Sequence, residues 1–370
     1  MKIFFFTTVP SDQAKSWSNI PFFLHKNLEK KGYKVVNVVM GEPFILKFLY
    51  NMPTRFLNKF TNFDSLSFYN SSSFHFYLMS LKRYIYGLLA GPNDVFIVQG
   101  FSYPPKIGKH LNIIIGDWPS RYLFDEMKKK KPNLFEAMFI KREGRVINLS
   151  DHVITLFPHV QKYMSDNNMS SRVHFFGNVV NIEDDVELSQ NEIEVKYNSN
   201  KILFIGQSAY LTGAVDLIKA VIELRKLNIK YEVDIVGISL SEIDFKFDWL
   251  RVHGYLDKQD ERQKLKYNSL LTNAKYFINT TKVWAGFQSI LEAMYYHTPV
   301  IVSANPGLSS FFKGEDPLIY LGEKALVDLL CQKEKEKFSD YLITCTNSKD
   351  AVKQHTWANF TSHLQRLFHA

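Results

Sequence analysis

Cysteine is nearly missing from this chain: 370 residues contain only Cys331 and Cys345, with no C-x-x-C and no paired histidine spacing. Neither a disulfide framework nor a zinc site is indicated. No uninterrupted apolar run approaches the roughly 20 residues that a membrane-crossing helix needs. The opening Met1-Lys2-Ile3-Phe4-Phe5-Phe6-Thr7 is too short for the apolar region of a signal peptide and lacks a small-residue cleavage site. It reads as a buried first strand, and the protein as cytoplasmic. No G-x-G-x-x-G follows that strand, which argues against a nicotinamide dinucleotide. No helix-turn-helix, zinc-finger or RNP-type motif stands out, which argues against nucleic acid as a partner. Acid is the scarcer charge, with 37 Asp and Glu against 45 Lys and Arg and a net charge of +8. That balance is compatible with an anionic partner such as a nucleotide diphosphate or a lipid surface.

What is present is globular: 46% apolar and 22% charged residues, in a chain long enough for two ordinary domains. A strand at 2–8, a helix at 17–31 closed by Gly32 and a strand at 33–40 make a βαβ opening, and such folds bind ligands at the carboxyl ends of their strands. Strands at 95–100, 111–116, 152–156 and 172–180 complete a first domain, 1–180. The polar stretch 181–200 reads as a linker. A second domain, 201–346, follows with strands at 201–206, 233–237, 276–279 and 300–303 and helices at 214–227 and 260–273. Residues 347–370 form a C-terminal helix.

Three places carry candidate chemistry. The first is Gly206 with the loop Gln207 to Gly213, where a strand, a short loop and a helix start make a phosphate-facing geometry. The second is the run from Trp284 to Ser303, a loop, an apolar helix stopped by Thr298-Pro299, and a strand. Glu292 sits inside that helix, where an unpaired charge costs several kcal/mol or more. Either hydroxyls of a sugar or ribose satisfy it, or a neighbouring Lys or Arg does. The third is Asp117, at the carboxyl end of the 111–116 strand, where it can serve as an N-cap for the next helix. The aromatic-rich stretches 44–60 and 74–90 carry Lys47, Arg55, Lys59, Lys82 and Arg83, and four lysines run from Lys128 to Lys131. They fit either an anionic membrane surface or amphipathic helices covering a sheet.

The Trp284–Ser303 segment resembles the donor-binding signature of family 4-type retaining glycosyltransferases, E-G-F-G-x-x-x-L-E-A-M-A-x-G-x-P-V-I-A-S. Leu291-Glu292-Ala293-Met294 and Thr298-Pro299-Val300-Ile301-Val302-Ser303 match it; the first Glu of its E-x7-E pair falls on Trp284. The resemblance implies the GT-B architecture, α/β with two Rossmann-like domains facing across a cleft. It implies transfer of a sugar from a nucleotide-sugar to a glycan, lipid-linked or protein acceptor with retention of configuration, without a metal and with no cofactor beyond that substrate. Asp117 and Glu292 become the catalytic candidates, Asp117 against the sugar and Glu292 at the nucleotide ribose. Gly206 to Gly213 resembles G-R-x-x-x-x-K-G, whose Arg and Lys grip the diphosphate, but Gln207 and Thr212 stand at those positions. Lys282 or Arg251 would then replace the lost cations. His253-Gly254-Tyr255 is expected at the base, and Trp284, Gly286, Phe287, Gln288 and Ser289 at the diphosphate and sugar. Ser16 to Phe23 resembles a W-S-G-T-P-Y-like segment, which places Trp17 and Ser18 on the acceptor side; Trp17 packing its helix on the sheet is the alternative. His355-Thr356-Trp357 matches an element after which the last helix packs back on the first domain. The usual setting of such relatives is bacterial cell-envelope polysaccharide or glycoprotein assembly at the inner face of the membrane. Because three charged signature positions are replaced, a non-catalytic partner or glycan-binding subunit stays open, as does a sugar-nucleotide epimerase.

Overall fold

The structure is a computed structural model that describes residues 1–13, 19–41, 48–49, 52, 69, 71–103, 108–170, 172–182, 185–281, 287–303, 308, 311–312, 317–321 and 326–369. The chain divides into two compact units, Met1–Gly177 with Phe360–Ala370, and Asn178–Asn359.

The first unit is built on a parallel sheet of β1 (Lys2–Thr7), β2 (Lys34–Val39), β3 (Val95–Gln99), β4 (Leu111–Gly116), β5 (His152–Thr155) and β6 (Val173–Phe175). Its strand order is β2-β1-β3-β4-β5-β6. Ile3 to Phe6, Val95 to Val98 and Ile113 to Ile115 are all buried, the continuous apolar pattern of strands covered on both faces. The first helix spans Ile20–Lys30, after Asn19 with a φ of 63°; the expected start at 17 lies outside the described residues. Ser72 caps the helix Ser73–Leu89 by accepting from His75 N–H, and Asn133 with Glu136 forms a capping box for the helix Leu134–Leu149, each satisfying N–H groups that the first helical turn leaves free. The 74–90 stretch does not offer its two cations to a surface. Arg83 is 1% exposed, donates to Asn112 Oδ1 and lies over the rings of Phe6 and Phe96. Lys82 Nζ donates to the carbonyls of Val39, at 2.5 Å, and Gly41, at 3.2 Å. Both serve the sheet, because its last carbonyls and its interior need donors there. Lys47, Arg55 and Lys59 lie outside the described residues.

The second unit repeats the plan with β7 (Lys201–Ile205), β8 (Glu232–Val236), β9 (Leu250–Val252), β10 (Tyr276–Asn279), β11 (Val300–Ser303) and β12 (Ile319–Leu321). All pairings are parallel in the order β12-β11-β10-β7-β8-β9, so the winding direction reverses between β7 and β10. Ile202, Phe204, Leu217, Val221, Ile235 and Ile278 anchor its core. The polar stretch read as linker contains the helix Gln190–Tyr197, opened by a Ser189/Glu192 capping box, and Ile193 joins the core. Its polarity misled because the helix buries little more than Ile193 and Lys196. Lys196 Nζ donates to Tyr296 O at 2.5 Å and to Thr298 Oγ1 at 2.8 Å, a cation at the carboxyl end of the helix Phe287–Tyr295, where the helix dipole favours one. Burial lowers its ammonium to about 7. Residues 338–352 and 357–368 are two helices.

Candidate active site

In the second unit the strand ends around the reversal are joined through glycine. Gly206 N–H donates to Val236 O at 3.0 Å, and Gly237 N–H to Gly254 O at 2.7 Å. A Cβ on Gly237, whose φ is +95°, would lie 2.5 Å from Gly206 O, and one on Gly206 would lie 2.8 Å from Tyr210 Cβ. The tips of β7, β8 and β9 therefore present backbone, which a ligand can approach closely. Gly213 lies in the first turn of the helix Leu211–Lys226, and a Cβ there would sit 3.0 Å from the backbone nitrogen of Thr281. The first turn of this helix thus abuts the end of β10. Among the described residues no side chain caps the helix; Leu211 N–H is taken by Ser208 O of the preceding turn, and a first turn without a side-chain cap is the kind of place that suits an anion. Thr280 Oγ1 donates to Gly213 O at 2.8 Å, while the buried Asn279 Nδ2 and Thr281 Oγ1 have no hydrogen-bond partner among the described residues. A buried polar atom left unpaired costs about 1–3 kcal/mol, and two of them beside an uncapped helix start mark a place that gains from a polar ligand. Gln207 and Thr212 are exposed around it.

Glu292 is 1% exposed. Both its oxygens lie 2.8 Å from Lys258 Nζ, and the Tyr267 hydroxyl donates to Oε2. Lys258 also stands over the Tyr267 ring, 4.0 Å from its centre. Burial and the neighbouring carboxylate hold the Tyr267 phenol well above its usual range, so it remains a donor. Three of the roughly four acceptor sites of a carboxylate are taken. Of the two partners expected for Glu292, the structure shows the cation, with Tyr267 of the helix Glu261–Asn273 beside it. Arg251, one of the two expected replacement cations, lies within β9 and pairs with Glu232 on β8 at 2.9 Å; a residue inside a strand does not reach the strand ends.

The other expected donor-side residues divide. His253 turns its ring inward, with Nε2 2.7 Å from Asp234 Oδ1, whereas Tyr255 is 59% exposed. Gln288 donates Nε2 to Val179 O at 2.5 Å, and Ser289 is buried. Lys282, Trp284 and Gly286 lie outside the described residues, as do Trp17 and Ser18; Phe287 opens its helix, and its side chain is not described. Among the described residues no three His, Cys, Asp or Glu side chains converge as a metal site.

The first unit holds a cavity of about 700 Å³ at the carboxyl ends of β1, β3 and β4, lined by Thr8, Gln99, Asp117, Trp118, Ser120 and Glu143 among others. It lies at the reversal between β1 and β3, where open α/β sheets take ligands. Asp117 is on its wall and accepts Thr155 Oγ1 on its own carbonyl at 2.7 Å. The N-cap alternative fails: the helical turn that follows is Ser120–Tyr122, preceded by Pro119. Glu143, from the helix Leu134–Leu149, is 3% exposed. It accepts from Ser102 Oγ at 3.0 Å, from Ser120 Oγ at 3.1 Å and from Ser120 N–H at 2.5 Å. Burial nevertheless raises its carboxyl to about 7 against the pull of those donors.

Comparison with known proteins follows the second unit. Residues 185–328 match the sequence model of the family described as glycosyl transferases group 1. The matched stretch lies within the second unit. No curated protein matches the chain by sequence. Among solved structures, sucrose-phosphate synthase from Thermosynechococcus elongatus is 13% identical, with 100% of this chain and 98% of that chain covered and a TM-score of 0.65. WaaG, a glycosyltransferase involved in lipopolysaccharide biosynthesis, is 10% identical, with 95% of each chain covered and a TM-score of 0.62. S. aureus TarM, in a complex with fondaparinux, alpha-GlcNAc-glycerol and UDP, is 15% identical, with 78% of this chain covered and a TM-score of 0.53. The chain spans 58% of that TarM chain. At these identities the likeness is one of fold, and the fold is GT-B, with two Rossmann-like domains.

Gly206, Gly213, Lys258, Tyr267, Thr281 and Glu292 all fall within the matched stretch 185–328. Sequence reasoning missed Lys258 and Glu143. For Lys258 a signal existed: a buried carboxylate demands a cation, and this lysine follows the His253-Gly254-Tyr255 turn by three residues. For Glu143 none did, since Lys141-Arg142-Glu143-Gly144-Arg145 reads as a solvated helix face.

Proposed function

We propose that the protein transfers a sugar from a nucleotide-sugar donor to a hydroxyl of a glycan, lipid-linked or protein acceptor, with retention of configuration and without a metal. The observation that carries this reading is the uncapped helix start at Gly213, set against the end of β10 at the strand-order reversal, inside a stretch that matches glycosyl transferases group 1. UDP in the TarM complex is in keeping with a nucleotide donor. The donor diphosphate would sit on the N–H groups of that first turn, which stabilise the negative charge that develops on it as the glycosidic bond breaks. Asn279 and Thr281 would add the two buried donors that lack partners. With Gln207 and Thr212 neutral, Lys258 supplies the cation on the nucleotide side, and Glu292 holds Lys258 in place rather than gripping the ribose.

In the first unit, polar Thr8, Gln99 and Ser120 alternate with aromatic Trp118 around the cavity, a lining suited to a sugar acceptor, with Asp117 orienting its hydroxyl. A lipid-linked acceptor would bring the enzyme to an anionic membrane at the inner face of a bacterial envelope. Leu134, Phe135 and Met138 are 73%, 53% and 51% exposed, beside exposed Lys128 to Lys131, Lys141 and Arg145. No helix among the described residues is long and apolar enough to cross a membrane, so this contact would be peripheral.

The test is a panel of nucleotide-sugars screened by thermal shift, since a bound donor raises apparent stability by mass action, followed by NMR of the product's anomeric carbon. One donor should stabilise the protein and be consumed with its anomeric configuration kept; inversion would refute the stereochemical part. The neutral Gln207 and Thr212 and the sealed Glu292 favour one competing reading, a partner or glycan-binding subunit without turnover. Donor hydrolysis by the pure protein excludes it.

A further inference from the structure

Two loops shape the cavity of the first unit, one after β3 and one after β4, and they are tied together at three levels. Gly100 N–H donates to Ile115 O at 2.6 Å. The Phe101 ring lies so close over Gly116 that a Cβ there would be 2.7 Å from it. At the third level Glu143 receives Ser102 from the first loop and Ser120, through both hydroxyl and N–H, from the second. Asp117 and Trp118 lie between the last two ties, on the cavity wall.

We propose that Glu143 is a positioning residue: its carboxyl clamps the Ser102 and Ser120 loops together and so sets Asp117 and Trp118 for a sugar hydroxyl in this cavity. The sugar as occupant rests on the acceptor reading given above, while the clamp itself does not. A purely structural role accounts for the geometry poorly. Helix Leu134–Leu149 already packs through Val146 and Ile147, and an apolar residue at 143 would do that without the cost of burying a carboxyl. The three donors aim at one group from two separate loops, which only an acceptor with two oxygens can serve. Because burial raises this carboxyl to about 7, it exchanges between a charged clamp that accepts all three bonds and a protonated form that must give one acceptor site up. His75, Tyr103 and Asp117 are the other titratable groups lining the cavity, and the variants below separate them from Glu143.

Fluorine NMR of the full chain carrying fluorotryptophan reads the clamp without any substrate. The resonance missing from W118F belongs to Trp118. In the wild type it should move with pH, with a midpoint near 7, and in E143Q it should stay still across the neutral range. S102A, at an exposed position, removes a donor that holds the carboxyl down, so it should move the midpoint upward; this variant serves if E143Q does not fold. A Trp118 signal that ignores pH in the wild type, or follows the same curve in E143Q, overturns the proposal. Methyl glycosides of glucose, galactose and N-acetylglucosamine, added at neutral pH, should shift the same signal, with affinity about tenfold weaker in E143A. No shift with any glycoside, while the pH response persists, supports the clamp and overturns the acceptor reading instead.

Discussion

Replacing Lys258 by Ala separates a buried ion pair from a decorative one. The variant leaves Glu292, 1% exposed, with the Tyr267 hydroxyl as its remaining partner of the two. An exposed pair is worth at most about 1 kcal/mol, whereas removing one member of a buried pair costs about 3–5 kcal/mol, because the survivor stays charged in a dry place. Lys258 is itself 18% exposed, so water follows the truncated side chain in part and the loss should fall near the lower figure, about 3 kcal/mol. For a unit of this size that lowers the melting temperature by about 6–12 °C. The assay is urea and thermal unfolding of the full chain, followed through the buried Trp249 and Trp357 of the second unit. The control is Lys258→Met with Glu292→Gln, which removes both charges and should recover most of the loss. A K258A protein within about 1 kcal/mol of wild type would refute the reasoning, since that is the value of a surface pair.

Gly213→Ala should weaken donor binding by about tenfold or more, because the new methyl meets backbone that cannot turn aside; unchanged calorimetric affinity would contradict the packing of this helix start on β10. For Glu143 the folded carboxyl titrates near 7 against 4.5 unperturbed, so its contribution to stability is present in full below the lower value and is lost as pH rises through the higher one. The loss amounts to about 3 kcal/mol, and E143Q should flatten it in urea midpoints measured below pH 4.5 and above pH 7. Leu134→Ser with Phe135→Ser and Met138→Ser should release the protein from phosphatidylglycerol vesicles but not change its melting temperature, as those side chains are exposed; equal sedimentation of wild type and variant would remove the membrane contact.

The sequence made the strands legible because buried parallel strands are written as unbroken apolar runs, as in Ile3 to Phe6 and Ile113 to Ile115. Helix starts were less so: Asn19, expected inside the first helix, takes a left-handed φ just before Ile20. The helix Gln190–Tyr197 was hidden by its polarity, since it buries only Ile193 and the aliphatic stem and ammonium of Lys196. Gly206, Gly213 and Gly254 were readable as backbone sites. Gln207 and Thr212 were readable as neutral positions, but not the pairing of Glu292 with Lys258, which lies 34 residues away from it. Periodicity cannot pair residues so far apart. Glu143 shows the same limit, joining Ser102 and Ser120 across 41 and 23 residues.

The proposed function requires that the second unit hold a nucleoside diphosphate at the start of the Leu211–Lys226 helix. Calorimetric titration of the full chain with UDP, ADP and GDP, repeated on Gly213→Ala, tests it most directly. Saturable binding of one nucleotide that the alanine variant loses agrees with the claim, and binding that is absent for all three, or indifferent to Gly213, contradicts it.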